Sequence, residues 1–554
     1  MTGLHLLQII ILLLIAVLAL TTIARKLAIP YPILLVVGGL VLSFVPGLPT
    51  VRLDPDLIFL VFLPPLLWSA AYFTSWRDFR ANARPITLLA VGLVLATTAA
   101  VASVAHALLP GLGWAGAIVL GAIVSPPDAV SATATVKQLH FPRREVTILE
   151  GESLVNDATA LVLYRSALVA VVSGTFDPSN TVMDFFLAAT MGIAVGVIVG
   201  ILSCWVLRLT EDSFSEIAIT LLVPYIAWVL AEQAHASSVL ACVAGGLYIR
   251  QHFSAIVAPT TRIQAKAVWD VLVFILNGII FILIGLQLDT LREAIPSDQL
   301  VVLTVNGLLI CTTAIAVRLV WVPVSAWVPR LLSRSLRARD PMPPWPNLLI
   351  LGWCGMRGVV SLAAAMALPL TTAAGTPFPF RAEIILMAFM VILVTLVLQG
   401  LSFPALIRIL NLADDKSIEY EERQARERAA TAALTLLDAM ADEDWTIPDH
   451  VEQLRIHYGR RLQRNVNAEA PDTESMKEVT EAFRRLRHET LTAERLAVIN
   501  LRNDDVISDE VLHHLEHELD VEALRIGIGE LRVSYVQSTK KTTRKTTKKP
   551  SKKS

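Results

Sequence analysis

The chain has 554 residues, of which 54% are hydrophobic and only 17% charged, and 47 Lys and Arg nearly balance 48 Asp and Glu for a formal net charge of −1. With a mean hydropathy of +0.60, this composition is far from that of an ordinary soluble protein and close to that of a polytopic membrane protein. The near-zero charge supplies no global field for nucleic acid. Four scattered cysteines, Cys204, Cys242, Cys311 and Cys354, have no CxxC pairing and no neighbouring histidine to complete a metal site, so they read as small core residues.

The first apolar stretch, about Leu4 to Ile23, lacks a basic leader and is followed by Arg25 and Lys26 instead of a small-residue cleavage site, so it reads as a retained first span. A crossing helix needs about 20 apolar residues. With that ruler, runs fall near 4–24, 28–46, 56–74, 86–109, 114–136, 151–174, 183–208, 214–234, 236–249, 267–288, 300–328, 346–370 and 382–411, thirteen spans in all. Only Glu232, Gln233 and His235 divide the eighth from the ninth. Loops after odd-numbered spans hold sixteen Lys and Arg, among them Arg77, Arg80, Arg84, Arg143, Arg144 and Arg330; those after even spans hold three, Arg52, Arg292 and Arg381. Basic loops stay on the cytoplasmic side, so the N-terminus is expected outside and the C-terminus in the cytoplasm.

The membrane unit is expected over 1–412. Beyond it the chain becomes charge-rich and has no run of spanning length. Apolar residues at three- and four-residue spacing in SIEYEERQARERAATAALTLLDAMA and over 476–498 predict amphipathic helices packed on one another, a helical cytoplasmic region over 413–538. No nucleotide or metal signature is present there. The end, 539–554, is basic and low in complexity with nothing to bury, and is expected to be disordered, either merely solvated or in weak, reversible contact with anionic lipid.

Ionisable groups at membrane depth are costly unless paired or hydrated, so each is a functional suspect. In the fifth span, Pro126 and Pro127 remove backbone donors at the midpoint and break the helix beside Asp128; a break at this depth is tolerated only where it lines a cavity. In the sixth, ESLVND places Ser153 and Asp157 one turn apart on one helix face, with Asn156 beside them and Glu152 one turn below Asn156. These are hard oxygen ligands, suited to a hard cation that has shed part of its water, although Glu152 reads better as half of a buried ion pair. Partners are available in Arg318 of span eleven and in Arg357 of span twelve, the latter among Gly352, Gly355 and Gly358, which permit close packing or a local break. Spans five and twelve, both interrupted near the middle, fit the pattern of inverted repeats whose broken helices cross at a substrate site. Glu216, Asp270 and Asn277 are expected in packing or helix-end roles, Tyr164 and Arg165 in structural hydrogen bonds, and His106 and His140 in no proton relay.

SPPDAV, GESLVND and GWCGMRGVVSLAAAMALP, in that order, resemble the monovalent cation/proton antiporter family that includes bacterial and animal sodium/proton exchangers, over most of 1–411. The resemblance implies an all-α polytopic fold of about thirteen transmembrane helices with inverted repeats and broken crossing helices, usually a homodimer, in which a six-helix core moves like an elevator against a dimerisation bundle. Carried over by position, Asp157 is the ion- and proton-binding carboxylate, Asp128 a second carboxylate for Na+, and Ser153 a supporting ligand. Asn156 orients the site, and the Asn–Asp order is associated with electroneutral exchange. Glu152 pairs with Arg318, while Arg357, with Pro126 and Pro127, supports the helix crossing. Two departures stand out. Pro126 and Pro127 precede Asp128, and Ala129 follows it, where many relatives read Asp-Pro; and Ser69 follows LPPLL, where some prokaryotic relatives place a glutamate, which bears on the choice between sodium and potassium.

The expected activity is secondary active exchange of Na+ or Li+ for H+ in the plasma (inner) membrane of a bacterium, for pH and sodium homeostasis, with K+/H+ exchange as the alternative and no cofactor or covalent chemistry. A cation channel is a further reading, reversed from a carrier only by flux independent of pH. An intramembrane aspartyl protease is a distant one, since the GxGD element of that class is missing beside these two aspartates.

Overall fold

The computed structural model of the chain describes residues 3–27, 29–44, 58–128, 142–174, 178–293, 296, 298–410, 417–441, 443, 445–467, 474–504 and 506–525. The second half of the fifth predicted span, the loop residues Arg52, Lys137 and His140, and the basic tail 539–554 lie outside the described residues. The chain divides into two compact units, one within 1–415 and one within 416–554.

The described residues of the first unit form helices joined by turns and irregular segments, with an isolated bridge between Thr371 and Pro377. Its elements are α1 (Gly3–Leu27), α2 (Tyr31–Ser43), α3 (58–73), the short α4 (Trp76–Ala81), α5 (Ala83–Leu108), α6 (Trp114–Val124), α7 (Arg143–Ser173), α8 (Pro178–Arg208), α9 (Ser213–Gln233) and α10 (Ser238–Ile256). There follow α11 (Pro259–Glu293), α12 (Leu300–Leu332), the short α13 (Arg334–Arg339), α14 (Trp345–Trp353), α15 (Val359–Met366) and α16 (Arg381–Leu410). Nine helices among the described residues are long and apolar enough to cross a membrane, and α2, α3 and α6 are shorter apolar ones. The remaining predicted run, the twelfth, is divided between α14 and α15. Local chemistry sets the ends: Ser75, Asp212 and Ser237 cap α4, α9 and α10 by accepting from backbone N–H groups. Gly174 stops α7 in the left-handed conformation. The eighth and ninth spans separate at a turn that holds His235 at φ 53°.

Helices in lipid gain little from apolar burial against one another and instead pack where small residues let backbones approach. Two pairs do so here. A Cβ at Gly39 of α2 would collide with the Ile282 carbonyl of α11, and one at Gly285 with the Val36 carbonyl of α2; Gly192 and Gly196 of α8 meet α10 the same way. Large apolar side chains such as Phe186, Leu202 and Trp205 remain exposed on α8, as expected of a lipid-facing surface.

At the end of the bundle where most basic loop residues gather, three arginines share one carboxylate. Arg84 (2.5 Å), Arg144 (2.9 Å) and Arg330 (2.8 Å) all pair with Asp340, joining α5, α7 and α12 to the segment before α14. Arg143 pairs with Asp78 of α4 beside them, at 2.7 Å.

In the second unit, α17 (Ser417–Met440) packs on α18 (Pro448–Asn467), and α19 (Glu474–Asn503) on α20 (Asp509–Arg525). Arg455 reaches Asp438 across the first pair at 2.6 Å, and Arg487 and Arg495 reach Glu522 and Asp520 across the second.

Partial burial pushes the Asp340 carboxyl up, but hydrogen bonds and charge from Arg144, with Arg330 and Arg84, outweigh it and hold the group below the usual carboxylate range. A folded value below the unfolded one, about 3.9, means the stabilisation is complete above about pH 4 and disappears as pH falls through the folded value. Asp340→Asn is expected to cost about 1–2 kcal/mol at neutral pH. Thermal melts of variant and wild type should converge as pH falls through the folded value; a gap that does not narrow on acidification would contradict the clasp.

Candidate functional site

Helix α6 ends at Val124 because neither Pro126 nor Pro127 can donate a backbone hydrogen bond. Across from it the chain leaves helical geometry after Trp353 and resumes at Val359. The two breaks touch directly: Asp128 N donates to the Met356 carbonyl at 2.7 Å. Arg357, almost fully buried, donates from Nε to the Val124 carbonyl at 3.0 Å and from Nη1 to the Gly355 carbonyl, while its backbone N–H donates to Thr395 Oγ1 at 3.1 Å. One guanidinium thus satisfies carbonyls freed in both interruptions. Gly358 is required here, since a Cβ would fall on the Asp128 carboxylate.

Helix α7 continues unbroken through ESLVND. Glu152 and Arg318 are each only 1% exposed and form a two-pronged ion pair, Nη1 to Oε1 at 2.5 Å and Nη2 to Oε2 at 2.9 Å. Arg318 also donates from Nε (3.3 Å) and Nη2 (3.2 Å) to the Leu351 carbonyl near the end of α14, so it ties together α7, α12 and the broken helix. Asn156 is fully buried and donates from Nδ2 to the Pro127 carbonyl at 2.9 Å, linking α7 to the other break. Its Oδ1 has no hydrogen-bond partner among the described residues.

The opposite edge of this motif faces a cavity of about 380 Å³. Asp157 and Ser153 of α7 line it, with Pro126, Pro127 and Asp128 from the break of α6. The singled-out residues are therefore sorted by direction. Asp128, Ser153 and Asp157 meet in one space, whereas Glu152, Asn156, Arg318 and Arg357 stand behind the wall and hold it. Asn156, grouped with the ligands on the sequence, does not line the cavity; the 100° step from Asp157 turns it to the Pro127 carbonyl.

Further residues line the same space that the sequence assigned to other duties. Asn277 and Asp270 of α11 belong to the cavity wall, not solely to packing or a helix end, and Tyr31 of α2, Ser69 of α3, Glu150 of α7 and Ser361 of α15 join them. Ser69 donates its hydroxyl to Leu66 O at 2.9 Å, leaving lone pairs on the oxygen. Asp270 accepts from Lys266 Nζ at 2.6 Å. Four carboxylates thus line the cavity, and no Arg, Lys or His does so among the described residues. Tyr164 Oη has no partner among the described residues, so the expected hydrogen bond is not seen, while Arg165 pairs with Glu232 at 3.2 Å. His106 is engaged with the Leu112 carbonyl and the Trp114 ring.

Long apolar helices around one that ends before Pro126 and one interrupted between Trp353 and Val359, with carboxylates meeting there, define a secondary transporter for cations. The family described as "Sodium/hydrogen exchanger, transmembrane" matches residues 11–409. The chain belongs to that sodium/hydrogen exchanger family and is a multi-pass membrane protein. It is similar to an uncharacterised Na+/H+ exchanger of Mycobacterium tuberculosis, 35% identical over 512 residues covering 91% of this chain and 93% of the relative. It is also similar to a sodium, potassium, lithium and rubidium/H+ antiporter of Bacillus pumilus, 30% identical over 89% of this chain and 74% of the relative. The fold matches the sodium proton antiporter MjNhaP1 from Methanocaldococcus jannaschii with a TM-score of 0.59 at 20% identity, over 75% of this chain and 99% of that one.

Removing one partner of a buried ion pair leaves a bare charge and costs about 3–5 kcal/mol. Glu152→Ala is therefore expected to lower thermal stability sharply. The double variant Glu152→Ala/Arg318→Leu should be less damaged than the sum of its parts. The four buried cysteines provide the readout, through a thiol-reactive dye that brightens as the protein unfolds. Additive losses would refute the pairing.

Proposed function

We propose that the protein is a secondary active antiporter that exchanges Na+ or Li+ for H+, with Asp157 as the group that carries either ion. The observation that carries this reading is the meeting of Asp157, Asp128 and Ser153 in one cavity that no Arg, Lys or His lines among the described residues. A carboxylate in such a place is costly when bare, and either a proton or a metal cation removes the cost. The two compete for the same oxygens. If only the occupied state crosses the low-dielectric barrier, each passage of a cation in one direction requires a proton in the other. No covalent step is involved.

Asp128 completes the oxygen set and Ser153 Oγ adds an uncharged ligand. Asn156 and Arg357 keep the broken ends in register, and Glu152 with Arg318 holds α7 against α12. An amide at 156 beside a single carboxylate at 157 supports electroneutral exchange, because the amide does not titrate. The cavity runs toward Asp270 and Phe73, near the basic end of the bundle; by the bias of basic loops that end is cytoplasmic, the N-terminus is outside and the C-terminus inside. The domain limits 1–412, 413–538 and 539–554, a homodimer in the lipid bilayer of a bacterial plasma membrane, and a role in pH and sodium homeostasis complete the reading. K+/H+ exchange is the second reading, favoured by Ser69 at a cavity position and by the cation range named for the Bacillus pumilus relative.

Purified protein in liposomes with a trapped pH dye tests this. Addition of Na+ or Li+ should collapse an imposed proton gradient for wild type, at a rate unaffected by clamping the membrane potential. Asp157→Asn should fall to the level of empty liposomes, and Asp128→Asn at least about tenfold, the effect of about 1.4 kcal/mol lost at the site. Wild-type activity in Asp157→Asn would sink the assignment, and a response to K+ alone would select the second reading.

A further inference from the structure

Asn277 lies on α11, across the cavity from the ESLVND helix, and is only 2% exposed. Its Oδ1 is buried and has no hydrogen-bond partner among the described residues. An unpaired amide oxygen at this depth is costly, so a partner from outside the protein would relieve it. Most polar side chains on long apolar helices escape that cost by donating to the backbone of their own helix, as Thr304, Thr312 and Thr313 do on α12. A carbonyl oxygen cannot donate.

The same helix face carries a second oxygen donor toward solvent. Asp270 precedes Asn277 by seven residues, two turns on one face, lines the same cavity and has a 54% exposed side chain held by Lys266. Ser361 Oγ, from α15 on the cavity wall, is likewise buried and has no partner among the described residues. Oxygens therefore continue from the exposed Asp270 to the buried Asn277 on α11, in the space that also holds Asp128 and Asp157. A partly dehydrated monovalent cation needs such a sequence of oxygens. An amide carbonyl suits an intermediate step, since it coordinates a hard cation without the charge that would trap it.

We propose that Asn277 is a ligand of the transported cation, an uncharged subsite on α11 between Asp270 and the Asp128–Asp157 pair, and so a determinant of cation affinity and selectivity. The proposal rests on the antiport reading for its cargo, but its test is cation binding, which needs no transport.

The full-length protein is purified in detergent and its melting temperature followed against NaCl, LiCl and KCl, with choline chloride holding ionic strength constant. Asn277→Leu keeps the shape and removes the oxygen. It is expected to raise the half-saturating concentration for wild type's preferred cation by about tenfold or more, the effect of losing one buried polar contact, and to change the ratio between Na+ and K+. Asn277→Asp keeps an oxygen and adds a negative charge, and should bring the midpoint below that of wild type. If Asn277→Leu fails to fold, Asn277→Asp decides, because a purely structural amide predicts no change in its cation midpoint. Unchanged midpoints in the foldable variants, as expected if ordinary water satisfies the amide, overturn the proposal. So does a wild type that no cation stabilises. A wild type that binds cations with the Asn277 dependence but moves no protons in liposomes overturns antiport and leaves the subsite standing.

Discussion

Breaking a helix inside hydrocarbon frees backbone groups that lipid cannot satisfy, and this constraint organises the rest of the structure. One helix ends before Pro126 where another is interrupted between Trp353 and Val359, so several carbonyls are freed at one place and the partners must come from the protein itself. Arg357 serves Val124 and Gly355, Arg318 serves Leu351, Asn156 serves Pro127, and the Asp128 N–H serves Met356. Guanidinium groups suit the task because a single side chain presents five donors in a rigid fork. Burying Arg318 then demands an anion, which Glu152 provides. Pinning Glu152 fixes the rotation of α7, and that rotation turns Ser153 and Asp157 to the cavity and Asn156 to the break. The positions of the candidate ligands thus follow from the repair of the backbone.

The cost of this arrangement falls on the cavity. Arg318 and Arg357 are already committed, the first to a carboxylate and one carbonyl and the second to carbonyls alone, and neither lines the space where Asp128 and Asp157 meet. A positively charged side chain in that space would compete with an arriving cation at every cycle. Placing the guanidinium groups one layer behind the wall separates the charges that hold the fold from those free to exchange partners.

Much of this was legible from residues alone. Spans of about 20 apolar residues and the polar gap at Glu232–His235 place the helices because hydrophobic length is a direct physical requirement. Pro126–Pro127 and the glycines around Arg357 mark the breaks because those residue types act on the backbone itself. Rotation was not legible. Asn156 and Asp157 are neighbours in sequence, and only the Pro127 carbonyl decides that one faces away from the cavity. Asn277 and Asp270 look like isolated polar residues in a long apolar run until the face of α11 they occupy is known to border the cavity. The π-helical turns at Leu88–Leu93 and Thr395–Gln399 also left no sequence signal, although the second holds Thr395, whose hydroxyl receives the Arg357 N–H. Such single-turn irregularities carry no proline and depend on tertiary packing.

The glycine contact between α2 and α11 bears on how the cavity can change shape. Where Gly39 and Gly285 meet, backbone lies against backbone, and no layer of side chains remains that could slide or change rotamer between the two helices. Such a joint transmits displacement with little slack. Tyr31 near one end of α2 and Asn277 two turns before Gly285 on α11 therefore belong to a single stiff strut, while the rest of the wall includes α7 and the helix ends beside Pro126 and at Val359. The α2–α11 wall therefore moves as one piece, and a change in the cavity's width is a displacement of that piece relative to the wall that holds Asp128.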